Sequence, residues 1–497
     1  MRPSAAQEYR SLSESFFGHP RGLATLFFTE MWERFTYYGM RALLVLFLVS
    51  AVSSGGLGLD DRTATAIYGL YTAGTFLICL PGGWIADRLI GARAAVLIGG
   101  VGITLGNALL AMSTTARGFY AGLAVIALGV GLLKPNVSAI VAELYPEGGS
   151  RLDAGFMIFY VGINLGSTIG PLVTSAAQDH YGPRAGFGAA AIVMAIGVLQ
   201  FLVTQSWLGS AGRRRPQGGA GPWIGVAVAA AGMALLGAAL LAGLIPLDPR
   251  MLAGGASAGL VGVAVLYFAW YFSFGMVSAD ERRHGVVLVV LFAGCALFWA
   301  GYEQAGSSLN LFAERYTLRV YGAAHDVIPA SWFQSLNPAF IILFAPLFTA
   351  LWTALARRHR EPSAPAKFGI GLILMGAGFV VMAVAALIVA SGSKVLPTWL
   401  VMTYLLHTFG ELCLSPVGLS YYTKLAPKRY VGQMMGMWFL ALSIGNLLAG
   451  LIAGEFDADD VARMPSQYLH IVYFAIGSGV VLLLLSRPVK RLMGRVQ

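Results

Sequence analysis

From residue 22 to residue 486 the chain is a succession of charge-poor apolar runs, each twenty or more residues long, separated by short charged breaks. Backbone amides in hydrocarbon must find their partners within their own segment, and about 20 apolar residues of α-helix cross the bilayer core. Each run is therefore predicted to be a transmembrane helix. Six runs occupy residues 22–50, 63–86, 94–116, 118–142, 154–178 and 185–208. Two follow the Arg213-Arg214-Arg215 break, at 222–246 and 251–275, and six more lie at 285–312, 331–356, 368–391, 395–422, 431–454 and 466–486. The expected fold class is an all-α polytopic membrane protein of about 14 transmembrane helices, arranged as six, two and six.

Composition agrees with this reading. The 497 residues are 57% hydrophobic and 11% charged, against roughly 25% charged in an ordinary soluble domain. The net charge of +10 raises the question of nucleic acid, and its placement answers it. Of the 33 Lys and Arg residues, 22 fall in one set of alternating loops and tails and 8 in the other, while Arg34, Arg41 and Lys134 lie inside helices. That asymmetry is the positive-inside pattern. It predicts a multi-pass membrane protein with both termini cytoplasmic, partnered by the bilayer rather than by nucleic acid.

The expected division is a tail over 1–21, a six-helix bundle over 22–212, a linker over 213–284 carrying the two extra helices, a second six-helix bundle over 285–486 and a tail over 487–497. The first twenty residues hold no continuous apolar core, so no cleaved signal is expected. Cys79, Cys295 and Cys413 lie far apart in apolar runs and suggest packing, not a disulfide framework or a metal motif. The extra helices carry no charge and are expected to sit at the periphery, facing lipid.

One run breaks the apolar rule. Glu30, Glu33, Arg34, Tyr37, Tyr38 and Arg41 follow the spacing of a single helix face. Charges at membrane depth are costly and mark substrate or proton routes, so this stripe is expected to face a water-filled path. Elsewhere the intramembrane charges are Lys134 in the first bundle and Glu303 and Glu411 in the second. A zwitterion suits this distribution, with its carboxylate near Arg34 and Lys134, its ammonium near Glu411, and Asn164 and Asn337 available to a peptide amide.

The short loop Gly82-Gly-Trp-Ile-Ala-Asp-Arg-Leu-Ile-Gly-Ala-Arg93 resembles the loop signature of the major facilitator superfamily. It is expected to act as a reversible cytoplasmic latch, with Asp87 pairing to a helix end or an Arg. Within that superfamily, Glu30-x-x-Glu33-Arg34-Phe35-x-Tyr37-Tyr38-Gly39 resembles the first-helix motif of the proton-dependent oligopeptide transporter (POT) family. Lys134-Pro-Asn136, Phe159-Tyr-Val-Gly-Ile-Asn-Leu-Gly166, Phe298-Trp-x-x-x-Glu303-Gln304, Gln334-Ser-Leu-Asn-Pro338, Gly410-Glu-Leu-x-x-Ser-Pro416 and Met435-Gly-Met-Trp-Phe439 extend the resemblance, in order, along nearly the whole chain.

The resemblance implies a bacterial-type proton-coupled importer of di- and tripeptides, driven by the proton gradient, with no cofactor, no metal, no catalytic residue and no obligate protein partner. It implies that Arg34, Tyr38, Tyr68, Lys134, Asn164, Trp299, Asn337, Glu411, Ser415 and Trp438 bind substrate, the aromatics accepting varied side chains. Glu30, Glu33, Arg34, Arg41 and Glu303 are implied in coupling and gating, Glu303 through a protonation-sensitive pairing with Arg41. Two departures bear on local packing: Ala142 stands before Glu143 where the family pattern has Gly, and Ser167-Thr-Ile-Gly170 is more polar and glycine-rich than the pattern.

Other cargoes and a non-transporting role stay open. The same frame could carry nitrate or another anion, a sugar or a drug-like amphiphile, or serve a peptide sensor that moves nothing. A small anion has no use for Glu411, and a sugar little use for either charged end. No nucleophile–base arrangement, metal-ligand spacing or phosphate loop suggests an enzyme.

Overall fold

The structure, a computed structural model, describes residues 16–146, 149–213, 224, 248–276, 278–321, 326–456 and 460–494. These fold as helices α1 Gly22–Val49, α2 Asp61–Ile85, α3 Ala92–Met112, α4 Ala116–Glu143, α5 Gly149–Tyr181, α6 Ala185–Thr204, α7 Pro249–Trp270, α8 Ala279–Tyr302, α9 Ser308–Tyr316, α10 Leu336–Arg357, α11 Ala364–Ala390, α12 Thr398–Leu425, α13 Val431–Ala453 and α14 Met464–Leu492. Strands β1 Val320–Tyr321 and β2 Asp326–Val327 form a two-residue antiparallel pair. Among the described residues 12 spans are long and apolar enough to cross a membrane. The 28-residue α1, with its four charges, stands beside them.

The second extra helix of the sequence reading is α7. The first, expected at 222–246, lies outside the described residues apart from Ile224.

The chain divides into two compact units, Met1–Leu43 with Leu77–Asp248, and Leu44–Phe76 with Pro249–Gln497. In the first unit α1 lies against α5 along a ladder of small residues. A Cβ at Gly162 would meet the Phe27 ring at 2.8 Å, one at Gly166 would strike the Met31 carbonyl, and one at Gly170 the Phe35 carbonyl. Thr174 closes the ladder, its hydroxyl donating to the carbonyls of Gly39 (3.1 Å) and Gly170 (3.0 Å). Small residues in register let two membrane helices approach to backbone distance. The glycine-rich departure at 167–170 is thereby explained, since Gly170 is a rung. Ala142 is exposed, so the methyl that departs from the pattern costs no packing. On its other side α1 is tied to α6 by Thr25 and Thr36, which donate to the carbonyls of Thr204 and Ala190, both at 3.2 Å.

The Gly82–Arg93 loop is built differently from expectation. After Ile85 the helix widens for one turn, and the Gly91 amide returns to the Ala86 carbonyl at 2.8 Å. Gly91 has φ +82°, a conformation that glycine adopts without a Cβ penalty. Asp87 is exposed and has no partner among the described residues. Arg93 makes the contacts instead, donating from Nε to the Ala211 carbonyl at 2.7 Å and from Nη2 to the Gly209 carbonyl at 2.9 Å. Glu143 completes this corner by accepting the Gly212 amide at 2.7 Å.

In the second unit α7 packs Ala253, Ala256 and Leu260 against Ala66, Leu70 and Ala73 of α2 and Leu447 and Leu451 of α13. Val261, Val263, Val265 and Leu266 remain exposed, which is how a helix with one face on protein and one in lipid distributes its apolar residues. Asp61, the first residue of α2, is gripped by Arg315 near the end of α9 through two parallel bonds of 2.5 and 2.7 Å.

The run at 285–312 was expected to form one helix, and it breaks. α8 ends at Tyr302, residues Glu303–Gly306 form a tighter turn, and Ser307 adopts φ −123°, ψ −98° before α9 begins. The Tyr68 ring occupies the space where a side chain at 306 would go. Gln304 fastens the turn, donating to the Ala449 carbonyl at 3.1 Å while accepting the Ser308 hydroxyl at 2.6 Å.

Candidate functional site

In the first unit the polar stripe of α1 folds as its spacing predicts. Glu30, Glu33, Arg34 and Arg41 are all at least 96% buried. The Arg34 guanidinium pairs with Glu33 and lies 3.3 Å from Glu30, and its face rests 5.1 Å from the Tyr37 ring centre. Arg41 stacks on Tyr38 at 4.7 Å and on Tyr37 at 5.9 Å, a desolvated arrangement in which cation–π attraction is strong. Lys134 of α4 is an electrostatic neighbour of Glu30, Glu33 and Arg34, and so is the Cys79 thiol. Glu30 Oε2, Glu33 Oε1 and Arg34 Nη2 are buried without a hydrogen-bond partner among the described residues. A cation with an unused donor beside a second cation is a place where a carboxylate can bind.

Asn164 on α5 donates one amide hydrogen to the Tyr160 carbonyl at 2.9 Å, which leaves its carbonyl oxygen and its second N–H to offer onward. Asn136, next to Lys134-Pro135, is fixed in the same way to the Leu132 carbonyl at 2.7 Å.

The second unit holds the other half of the expected site residues. Glu411 of α12 accepts the Tyr302 phenol at 2.7 Å and the Asn337 amide at 3.0 Å, both on Oε2. The Asn337 amide also donates to the Thr408 hydroxyl at 3.0 Å, and Thr408 in turn donates to the Tyr404 carbonyl at 2.7 Å. Asn337 thus spends its donors on protein groups and keeps an acceptor. Trp299 meets Tyr302 edge-on at 4.9 Å. The Ser415 hydroxyl, one turn beyond Glu411, is buried without a partner among the described residues. Trp438 lies against Tyr422 at 5.3 Å, its ring filling the space beside Gly418. Elsewhere in this unit Glu303 accepts the Tyr68 phenol at 3.1 Å.

The expected residues are therefore gathered as two sets. Glu30, Glu33, Arg34, Tyr38, Arg41, Lys134 and Asn164 belong to the first unit, and Tyr68, Trp299, Glu303, Asn337, Glu411, Ser415 and Trp438 to the second. His407, one turn before Glu411, sits against Phe379 at 4.9 Å and bonds the Met375 backbone, which makes it a packing residue.

Two participants escaped the sequence reading. Tyr302 and Thr408 complete the Glu411 network, and neither was singled out. A signal for Tyr302 existed, because a phenol inside an apolar span needs a partner.

Ionisable side chains buried inside membrane-spanning helices mark substrate or proton routes, and a polytopic helical protein with several of them on a few helix faces fits the class of membrane transporters. Comparison with known proteins gives the particular class. The model of the POT family matches residues 93–218 and 259–468. The peptide transporter YePEPT of Yersinia enterocolitica is 40% identical over 502 residues, covering 97% of each chain. A di-/tripeptide transporter of Lactococcus lactis is 37% identical over 512 residues, 99% of this chain and 100% of that one. The crystal structure of a mutant peptide transporter POT in complex with alafosfalin superposes with a TM-score of 0.90 at 38% identity, covering 99% of this chain and 100% of the other. The chain belongs to the POT family, and its fold is that of the major facilitator superfamily transporters.

Proposed function

We propose that the chain is a proton-coupled symporter that imports di- and tripeptides across the inner membrane by alternating access, with both termini cytoplasmic. The relatives named as peptide and di-/tripeptide transporters support the cargo class, and the 22-to-8 distribution of loop cations supports the orientation. The observation that carries the reading is the pair of oppositely signed sites. The first unit offers Arg34 and Lys134 to a carboxylate, and the second offers Glu411, already oriented by Tyr302 and Asn337, to an ammonium. Asn164 and Asn337 each present an acceptor to peptide N–H groups. Tyr38, Tyr68, Trp299, Ser415 and Trp438 complete the substrate set.

Glu303 is the coupling carboxyl in this reading, with Glu30, Glu33, Arg34 and Arg41 as the charged groups that respond to it. Protonating Glu303 would change its bond with Tyr68, which is the kind of local change that can bias a two-state element.

The test is uptake of labelled dialanine into proteoliposomes with and without an inward proton gradient, challenged by unlabelled tripeptide and by nitrate. Gradient-dependent accumulation blocked by tripeptide and indifferent to nitrate is expected. Accumulation that nitrate blocks would favour an anion carrier, and binding without accumulation would favour a sensor.

A further inference from the structure

We infer that Tyr302 is a positioning residue for recognition of the substrate's amino terminus, acting through Glu411. This deepens the peptide reading and rests on it. Two donors converge on one carboxylate oxygen: the Tyr302 phenol reaches Glu411 Oε2 at 2.7 Å and the Asn337 amide reaches the same atom at 3.0 Å. Two donors on one oxygen fix the plane of the carboxyl group as well as its position. The two anchors are themselves held. Tyr302 is the last residue of α8, 93% buried, and its ring stacks on Phe298 at 5.6 Å with an interplanar angle of 25° and meets Trp299 edge-on at 4.9 Å. Asn337 is braced by Thr408, which is bonded to its own helix.

The placement of Tyr302 has a second consequence. It is followed by Glu303, whose carboxyl takes the Tyr68 phenol, and both side chains sit where α8 gives way to the tighter turn. The phenol that orients the carboxylate assigned to the amine, and the carboxyl assigned to coupling, are therefore borne by adjacent residues of one helix end.

A side chain that holds a carboxylate in the orientation needed by an ammonium contributes only when the ligand carries that ammonium. Tyr302→Phe keeps the ring that packs on Phe298 and Trp299 and removes only the donor. KM and Vmax for dialanine uptake, and the inhibition constant of N-acetyl-dialanine against it, separate the possibilities. A hydrogen bond to a charged group is worth roughly a factor of ten or more. Tyr302→Phe is thus expected to raise KM for dialanine about tenfold with Vmax within about twofold, and to leave inhibition by the acetylated peptide unchanged. In a Glu411→Gln background the same substitution is expected to add no further loss, because the group it positions has lost its charge. Phe298→Leu, which disturbs the stacking and spares the phenol, is expected to shift both peptides together.

A Tyr302→Phe protein that discriminates free from acetylated amine as well as the parent does would overturn the inference alone. So would a loss of equal size in the Glu411→Gln background. A parent protein that ignores dialanine would overturn the peptide reading and this inference with it.

Discussion

The Tyr68 phenol donates to Glu303 Oε2 at 3.1 Å, and the same ring stands where a side chain at position 306 would lie. One aromatic residue thus binds the Glu303 carboxyl and packs against the turn that carries it. Glu303→Gln is expected to abolish gradient-driven uptake while counterflow exchange continues. Tyr68→Phe is expected to slow gradient-driven uptake about tenfold, the worth of one hydrogen bond to a charged group, with exchange within about twofold. Flux assays on the two variants, run in parallel with exchange, check this. Unchanged gradient-driven uptake by Glu303→Gln would remove Glu303 from the coupling route.

Glu411 is the one carboxylate in the Tyr302–Asn337–Thr408 network. Replacing it by Gln keeps the shape and deletes the charge that an ammonium would meet. Dipeptide affinity is expected to fall roughly 10- to 100-fold, measured by competition against a labelled dipeptide. Undiminished affinity would show that the amino terminus is bound elsewhere.

The α1–α5 ladder leaves no room for side chains. Gly166→Val drives a methyl into the Met31 carbonyl, whereas a Cβ at Gly188 has only Ala111 nearby, at 3.8 Å. Overpacking of this kind costs about 1–3 kcal/mol or more. Thermal unfolding of detergent-solubilised protein should show a marked drop for Gly166→Val and little change for Gly188→Ala.

Arg93 and Asp87 share one sequence motif and do different things. Arg93→Ala leaves the carbonyls of Ala211 and Gly209 without their donor, and buried acceptors stripped in this way cost about 1–3 kcal/mol. Asp87→Asn, on an exposed residue, is expected to stay within about 0.5 kcal/mol of the parent. The same unfolding measurement distinguishes them, and equal losses would contradict the geometry.

Acid should weaken the α7 contact at Asp60. Its slight burial would raise the carboxyl, but the Thr63 hydroxyl and amide, with the Arg250 guanidinium, more than reverse this and hold it below its ordinary value. A carboxyl depressed by folding contributes stability above its unfolded value, near 3.9, and loses it as pH falls through the folded value. Between pH 5 and pH 3 the parent should therefore lose more thermal stability than Arg250→Ala. An identical acid response in the two proteins would show that the ion pair contributes nothing.

Much of this was legible in the sequence because hydrophobic runs and intramembrane charges are strong signals. The α1 stripe was readable as a face, since Glu30, Arg34, Tyr37 and Arg41 obey helical spacing and each is expensive in lipid. What spacing could not supply was the choice of partner across the fold. Tyr302 and Glu411 are 109 residues apart, and no local periodicity links them. The break after Tyr302 was missed for a similar reason, because the apolar pattern runs through it and the groups that pack on the turn, the Tyr68 ring and the Ala449 carbonyl, lie on other helices. Asp87 misled through the opposite effect: a motif position suggested a contact, while the fold gave the contact to Arg93.

The α1–α5 ladder also bears on how this chain can change over time. Where two helices touch through carbonyls and hydrogens rather than side chains, the main chain itself sets the register, and ordinary drift in residue type cannot re-tune it. Any enlargement of a rung displaces Glu30, Glu33, Arg34 and Arg41 together. The polar face is thus inherited as a block, its placement held by three positions that carry no side chain at all.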